Sequence, residues 1–321
     1  MVYDFERPIV ELEEKIAELQ RFAGEKGIDL SKEIENLKKK SKELKEAIFS
    51  QLSPWQKVLI ARHPGRPNTL DYIKLLCTDF IEFHGDRYFG DDPAIVGGIA
   101  RFRGRAVTVI GHMKGHDTKE NLARNFGMAH PEGYRKALRL MRQAEKFKRP
   151  VLAFIDTPGA YPGMGAEERG QAHAISCCIT GMLTLRVPVI SVILGEGGSG
   201  GALALASGDR ILMQEYAVFS VISPEAYASI LWKDATRCQD AAGIMKITAQ
   251  ELYAYQLIDG VIPEPLGGAH RDKNEAARLV GEAIAHHLEE LVGYSVEELL
   301  RRRFERFRRI GPEYLPGNDV T

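Results

Sequence analysis

The pattern of apolar and polar positions changes character along the chain. Within residues 7–50, Ile9, Leu12, Ile16 and Leu19 fall at helical spacing and form one apolar stripe. Leu30, Ile34, Leu37, Leu44 and Ile48 form a second, with Ser41 in its gap at heptad spacing. Between the stripes, "AGEKGIDLS" carries two glycines that break a helix and Ser31, which can cap the next one. These spacings predict an antiparallel helical hairpin. Its narrow apolar seams suit either a packing arm or an arm that docks on a partner. The segment "SPWQKVLIARHPGRPNTLDYI", residues 53–73, reads as a turn-rich link.

From Ala94 the apolar blocks shorten and become strand-like. "AIVGGIARF" and "RAVTVIGHM" read as neighbouring strands joined at "RGR". "PEGYRKALRLMRQAEKFKRP" follows as an amphipathic helix, with Tyr134, Ala137, Leu138, Met141 and Ala144 on its buried face. "PVLAFIDTPGAYPG" is a strand entering a Gly/Pro loop, and "AEERGQAHAISCCITGMLTL" is the next helix, with acids in its first turn. "VPVISVIL" is a further strand, and "DRILMQEYAVFSVIS" holds one or two more. Alternation of strand and helix from Val107 to Ser223 predicts an α/β fold with βαβ crossovers. The C-terminal part is helical again. In its last segment Leu299, Leu300, Phe304, Phe307 and Ile310 lie among six arginines between Arg301 and Arg309. That segment is either a phosphate- or nucleic-acid-binding stripe or the solvated face of a packed helix, and we take the second reading. The organisation expected is a helical arm over 1–52, a main domain over 53–295, and a basic helix and tail over 296–321.

Composition narrows the classes further. Hydrophobic content of 44%, charged content of 27% and a formal net charge of −1 describe an ordinary globular chain with no global pull toward nucleic acid. No apolar run approaches the roughly 18 residues of a membrane-spanning helix. The first residues lack a basic segment followed by an apolar one, so we expect no signal peptide and a cytoplasmic protein. Cys77, Cys177, Cys178 and Cys238 form no C-x-x-C pair. They are expected to be buried free thiols, and no metal site is expected from this chain.

The candidate chemistry centres on glycine. Five of the seven residues from Gly195 to Gly201 are glycine. Gly195–Gly200 spells G-x-G-x-x-G after a strand, with Glu215 downstream where a ribose-binding acid would stand. The helix that follows is too short for a dinucleotide crossover. Gly197–Gly201 spells G-x-S-x-G, and Asp259 and His270 follow in hydrolase order, which makes Ser199 a candidate nucleophile of a serine hydrolase. The third reading needs only main chain. A glycine corner opening a short helix presents backbone N–H groups to one point, and that is an oxyanion hole.

Longer blocks favour the third reading. "FIDTPGAYPGMGAEERGQ", "LGEGGSGGALA", "SVISPEAYASILWK", "VIPEPLGGAHR", "IARHPGRPNTLDYI", "DDPAIVGGIARF" and "RNFGMAHPEGYRKALRLM" resemble the carboxyltransferase α subunits of bacterial and plastid acetyl-CoA carboxylase over nearly the whole chain. The adjacent Cys177 and Cys178 depart from the family's usual helix sequence. The resemblance implies a crotonase-like ββα spiral with a helical N-terminal arm. It implies a partner β subunit carrying a zinc ribbon, in an α2β2 assembly with active sites between the two chain types. A biotin carboxyl carrier protein and a biotin carboxylase complete the larger complex. The implied reaction moves the carboxyl group of carboxybiotin to acetyl-CoA, giving malonyl-CoA for fatty acid synthesis. Both biotin and the acetyl group pass through oxyanions, so two oxyanion holes are useful. Departing biotin can itself take the acetyl proton, so no protein base is required. The resemblance places this chain's hole at the amides of Gly200 and Gly201, facing biotin. Gly197, Gly198 and Ser199 would make room and set the turn. Ala160, Tyr161, Pro162 and Gly163, in the rigid loop after a strand, would form a second wall. Lys114, His116 and Arg124 are weaker candidates for contacts to coenzyme A phosphates or the carrier.

Overall fold

The computed structural model describes residues 2–26 and 28–311. An eight-stranded sheet runs through its centre in the order β1-β2-β3-β4-β5-β6-β8, with β7 paired to β5 off that path. The strands are β1 (Cys77–Glu82), β2 (Ile95–Phe102), β3 (Arg105–His112), β4 (Val151–Thr157), β5 (Val189–Gly198), β6 (Arg210–Gln214), β7 (Val218–Ser220) and β8 (Gly260–Ile262). The helices are α1 (Arg7–Lys26), α2 (Ser31–Phe49), α3 (Pro54–Ala61), α4 (Thr69–Leu76), α5 (Thr118–Ala123), α6 (Pro131–Lys146) and α7 (Met164–Glu168). They continue as α8 (Gln171–Thr184), α9 (Ser199–Leu203), α10 (Pro224–Trp232), α11 (Cys238–Ile244), α12 (Ala249–Ala254), α13 (Lys273–Val292) and α14 (Val296–Arg308).

Strands β2 and β3 pair antiparallel from Ile95↔His112 to Phe102↔Arg105. Arg103 and Gly104, at φ 47° and 81°, make the tight turn expected at "RGR". From β3 to β8 the pairing is parallel, with α6 and α8 as crossovers. The central strands β4 and β5 are buried on both faces, so β4 opens as a continuous apolar run, Val151–Ile155, rather than an alternation. Ala153 and Ile155 pack with Tyr134, Ala137 and Met141 of α6 and Cys178 and Met182 of α8. Leu152 and Phe154 point the other way, into Tyr72 of α4 and Val280 and Ile284 of α13. Strand β5 changes neighbours along its length. Ile190–Ile193 pair with β6, whereas Glu196–Gly198 pair with β7. This change of partner falls just where the glycines lie.

Helices α1 and α2 form the predicted hairpin, and an ion pair from Glu13 to Lys45 crosses it in the antiparallel sense. It docks through Ile9, Phe49 and Leu52 on Ile60 and Tyr216 of the main body. Ser41 is buried in the seam.

Several sequence expectations are corrected. The supposed link contains α3 and α4, each opened by a capping box, Ser53 with Gln56 and Asn68 with Asp71. The prolines and Gly65 between them masked two good helix starts. The single helix expected over 166–185 is two, split at Gly170 with φ 80°. Of the cysteines only Cys178 is buried; the other three are half-buried, and all are free. The arginines of α14 do not share one solvated face. Arg303 is fully buried and gives hydrogen bonds to Asp209 and to the carbonyls of Met182, Leu185 and Val187. The tail after Gly311 lies outside the described residues. Among the described residues no helix is long and apolar enough to cross a membrane.

Candidate active site

The glycine run is mostly strand. β5 continues through Gly195, Gly197 and Gly198, and the corner comes only at Ser199. Close approach explains the small residues. A Cβ on Gly198 would stand 2.1 Å from the Pro158 carbonyl oxygen. One on Gly201 would stand 2.7 Å from the Ala160 nitrogen and 2.8 Å from the Tyr134 hydroxyl. These glycines therefore admit the loop after β4 rather than a ligand. Gly200 differs, because a Cβ there would meet only Ile175 at an ordinary 3.6 Å. Ser199 takes the corner in the left-handed region, at φ 53°. Non-glycine residues occupy that region at a cost of about 1–3 kcal/mol and tend to cluster at functional sites.

Helix α9 has five residues, and its start leaves the N–H groups of Ser199, Gly200 and Gly201 outside the helical ladder. The pairing of Gly198 with Ser220 turns the Ser199 N–H toward the Ser220 carbonyl of β7, and among the described residues no side chain accepts from the N–H groups of Gly200 and Gly201. Ser199 is exposed, Gly200 half-buried and Gly201 buried. Ser199 and Gly200 stand at the wall of a cavity of about 710 Å³ whose other lining includes Leu203, Phe219, Val221 and Tyr227. Of the cavity's lining, Leu203, Val221 and Ile244 are exposed apolar side chains.

The loop after β4 is held from within. The Gly159 N–H donates to the Thr157 hydroxyl, which donates in turn to the Gly159 carbonyl. The Tyr161 N–H donates to the Ala129 carbonyl, and its ring stacks on His130 at 4.1 Å. Gln171 donates to the carbonyls of Ala129 and Tyr161. Ala160 and Gly163 are half-buried and Pro162 is exposed. The loop therefore meets the corner through Pro158–Ala160, while Tyr161 rests on protein.

A charged network underlies the corner. Lys114 Nζ lies 2.7 Å from Glu196 and 2.9 Å from Asp156, and Arg62 joins Glu196 at 2.6 Å to Glu225 of α10 at 2.5 Å. The Glu196 N–H also donates to Asp156. Burial alone would raise the Glu196 carboxyl, but the Lys114 and Arg62 charges overcome it and hold it at about 2. Lys114, which burial would lower, is raised to about 12 by Asp156 and Glu196. These residues come from five separate elements and no local pattern marks them, so sequence reasoning missed the network.

The weaker candidates are occupied elsewhere. Lys114 belongs to the network, His116 contacts Asp71, and Arg124 donates to the Pro93 carbonyl. The hydrolase constellation does not assemble. Asp259 accepts from Arg306 and from the Ile211 N–H, while His270 stacks on His63 at 3.9 Å. Glu215 accepts from the Glu264 N–H, and α9 is too short to serve as a dinucleotide crossover helix.

Comparison with known proteins identifies the family. A family model described as "Acetyl co-enzyme A carboxylase carboxyltransferase-like" matches residues 2–311. The acetyl-coenzyme A carboxylase carboxyl transferase subunit alpha of Carboxydothermus hydrogenoformans is 58% identical over 98% of both chains. That of Heliobacterium modesticaldum is 59% identical over 96% of this chain and 92% of its own. Among solved structures, a Pseudomonas malonate decarboxylase hetero-tetramer in complex with coenzyme A aligns with TM-score 0.59 and 17% identity, covering 74% of this chain and 94% of that one. The transcarboxylase 12S core, solved with methylmalonyl-coenzyme A bound, aligns with TM-score 0.56 and 19% identity over 69% of this chain and 41% of its own. The structural likeness is one of fold, the crotonase fold of carboxyltransferases. Full-length sequence identity goes further, and this chain belongs to the family of acetyl-CoA carboxylase carboxyltransferase α subunits.

Proposed function

We propose that this chain forms the biotin-facing half of a two-chain carboxyltransferase that moves the carboxyl group of carboxybiotin to acetyl-CoA, giving malonyl-CoA. The observation that carries the reading is the start of α9, where the main-chain N–H groups of Gly200 and Gly201 precede the helical ladder and Gly200 lines an apolar cavity. A nucleophile–base pair would point to acyl hydrolysis. Preorganised N–H groups with no such pair point to stabilising an oxyanion.

Carboxybiotin reaches the site as a substrate on a separate carrier protein. When bound, it supplies the carboxyl group and a ureido oxygen that gains negative charge as that group leaves. The space at Gly200 and the helix-start donors beside it fit such an oxygen. Gly200 and Gly201 hold it, each donor contributing about 3 kcal/mol in a site closed to water. Gly197, Gly198 and Ser199 shape the corner, and Ala160, Tyr161, Pro162 and Gly163 stiffen the adjoining wall. The network of Arg62, Lys114, Asp156 and Glu196 fixes β5 against β4, so the donors need no reorganisation during the reaction.

The corner is open on one side, and the apolar residues around it suit a covering chain. We assign that role to a zinc-ribbon β subunit in an α2β2 assembly, which would bring the thioester's own oxyanion hole. A biotin carboxyl carrier protein and biotin carboxylase would complete the system in the cytoplasm. The test is to co-purify this chain with such a β chain and follow malonyl-CoA decarboxylation dependent on biocytin. Activity is expected from the pair and none from either chain alone. Turnover by the isolated chain would refute a shared site.

A further inference from the structure

A second cavity, of about 280 Å³, opens at the carboxyl ends of β3, β4 and β5, where ligands of α/β sheets tend to sit. It adjoins the corner, because its wall includes Pro158, whose carbonyl bears on Gly198. The charged and amide side chains around it are engaged within the protein. Lys114 lies between Asp156 and Glu196, and Arg62 joins Glu196 to Glu225. Arg66 donates to Glu264, Gln214 and the Leu194 carbonyl. Asn68 donates to the Lys114 carbonyl and accepts from the Asp71 N–H, and Asn121 bonds both main-chain polar groups of Gly115. Among the lining residues, those that stand exposed are Pro64, Phe126 and Pro158. What this cavity offers to a visitor is therefore three apolar rings.

Phe126 is held there against its own backbone preference. Asn125, Phe126 and Gly127 all lie in the left-handed region, at φ 49°, 56° and 78°. For a bulky side chain that conformation is an outlier. It persists only where the surroundings over-determine it, and such strain clusters at ligand sites. Here Gly127 is wedged, since a Cβ on it would stand 2.9 Å from Lys114 Cγ and 3.0 Å from the Asp156 carbonyl oxygen. On either side of Phe126, Arg124 donates to the Pro93 carbonyl and Asn125 meets His130, the ring that stacks on Tyr161. The result is an aromatic ring left 44% exposed, which returns little burial for the strain. We propose that Phe126, with Pro64 and Pro158, forms a stacking platform for the fused bicycle of biotin beside the oxyanion hole. The bicycle is rigid, compact and uncharged, which suits such a wall. A coenzyme A phosphate would find the cations already paired, and an acetyl group would leave most of the space empty. The inference rests on the biotin-facing reading of Gly200 and Gly201 and deepens it.

Two measurements test it. In the assembled enzyme, Phe126→Ala is expected to raise KM for biocytin about tenfold in malonyl-CoA decarboxylation, with KM for malonyl-CoA held. Phe126→Tyr keeps the ring and is expected to stay within about twofold of the parent. An unchanged KM for biocytin in Phe126→Ala, an equal defect in Phe126→Tyr, or a rise in KM for malonyl-CoA instead would overturn the assignment. Phe126→Gly separates binding from packing, because glycine takes the left-handed conformation without a Cβ. Its melting temperature is expected to equal or exceed the parent's while it shows the biocytin defect of Phe126→Ala. A melting temperature several degrees lower would make the ring a packing residue and sink the proposal. Failure of the oxyanion reading is separable: Gly200→Val would then leave biocytin-dependent turnover intact, whatever the Phe126 variants do to KM for biocytin.

Discussion

Two buried polar regions of this chain treat hydrogen bonding in opposite ways. At the C-terminal helix, the five N–H donors of Arg303 meet five acceptors: both oxygens of Asp209 and the carbonyls of Met182, Leu185 and Val187, at 2.6–3.0 Å. At the glycine corner, the N–H groups of Gly200 and Gly201 open a helix and meet no side-chain acceptor among the described residues. The first region spends its polarity inside the fold, tying α14 to the ends of α8 and β5. The second withholds it. A domain that satisfies an arginine so completely and leaves a helix start bare keeps that start for something that comes from outside.

The comparison can be broken at either end. The largest effect is expected from Arg303→Met, which leaves Asp209 buried without its partner. Stability should fall by about 3–5 kcal/mol, measured by denaturant unfolding, while turnover per folded and assembled molecule is retained. Loss of turnover without loss of stability would mean that Arg303 is not structural. Next comes Gly200→Val, where the added side chain has room in the protein but stands before the donors. Biocytin-dependent turnover should drop about 100-fold with a melting temperature close to the parent's. A large stability loss would make the corner a packing feature like the arginine site.

A smaller effect is expected in the pH dependence of stability. The His112 ring sits near 3 when folded, against an ordinary 6.5. Its contribution is fully present above about 6.5, where neither state binds the proton. As pH falls from there toward about 3, only the unfolded chain is protonated, so stability falls by about 1.4 kcal/mol per pH unit. His112→Gln should remove that component of the slope in acid unfolding series, and a parallel slope would contradict the buried neutral ring. Smallest of all is Ser199→Ala. Turnover should fall less than about threefold, since no base reaches the hydroxyl, and a collapse of several orders would revive the nucleophile.

Much of this architecture was legible from local pattern. The hairpin followed from its two stripes, the turn at Arg103–Gly104 from "RGR", and β4, α6 and β5 from buried runs and helical periodicity. Errors gathered where local signals conflicted. Pro64, Gly65 and Pro67 outweighed the capping signals of α3 and α4, and Gly170 divided a helix whose periodicity continues across it. In the site, the glycines were visible but what packs against them was not. Gly198 and Gly201 are small because the Pro158–Ala160 backbone passes against them, which no single segment can reveal. The arginine-rich helix was judged from its charge, yet Arg303 found its acceptors in Asp209 and in carbonyls more than a hundred residues away in sequence.

By itself, the sequence determined the alternation of elements and the bare stretch of main chain at the end of β5. Those follow from side-chain periodicity and from the absence of a Cβ, both local properties. Tertiary structure alone decided which donors stay unpaired and which charges are silenced. Pairing depends on what the fold brings within about 3 Å. That is how Lys114 came to lie between Asp156 and Glu196, and why His270 and Asp259 never meet Ser199.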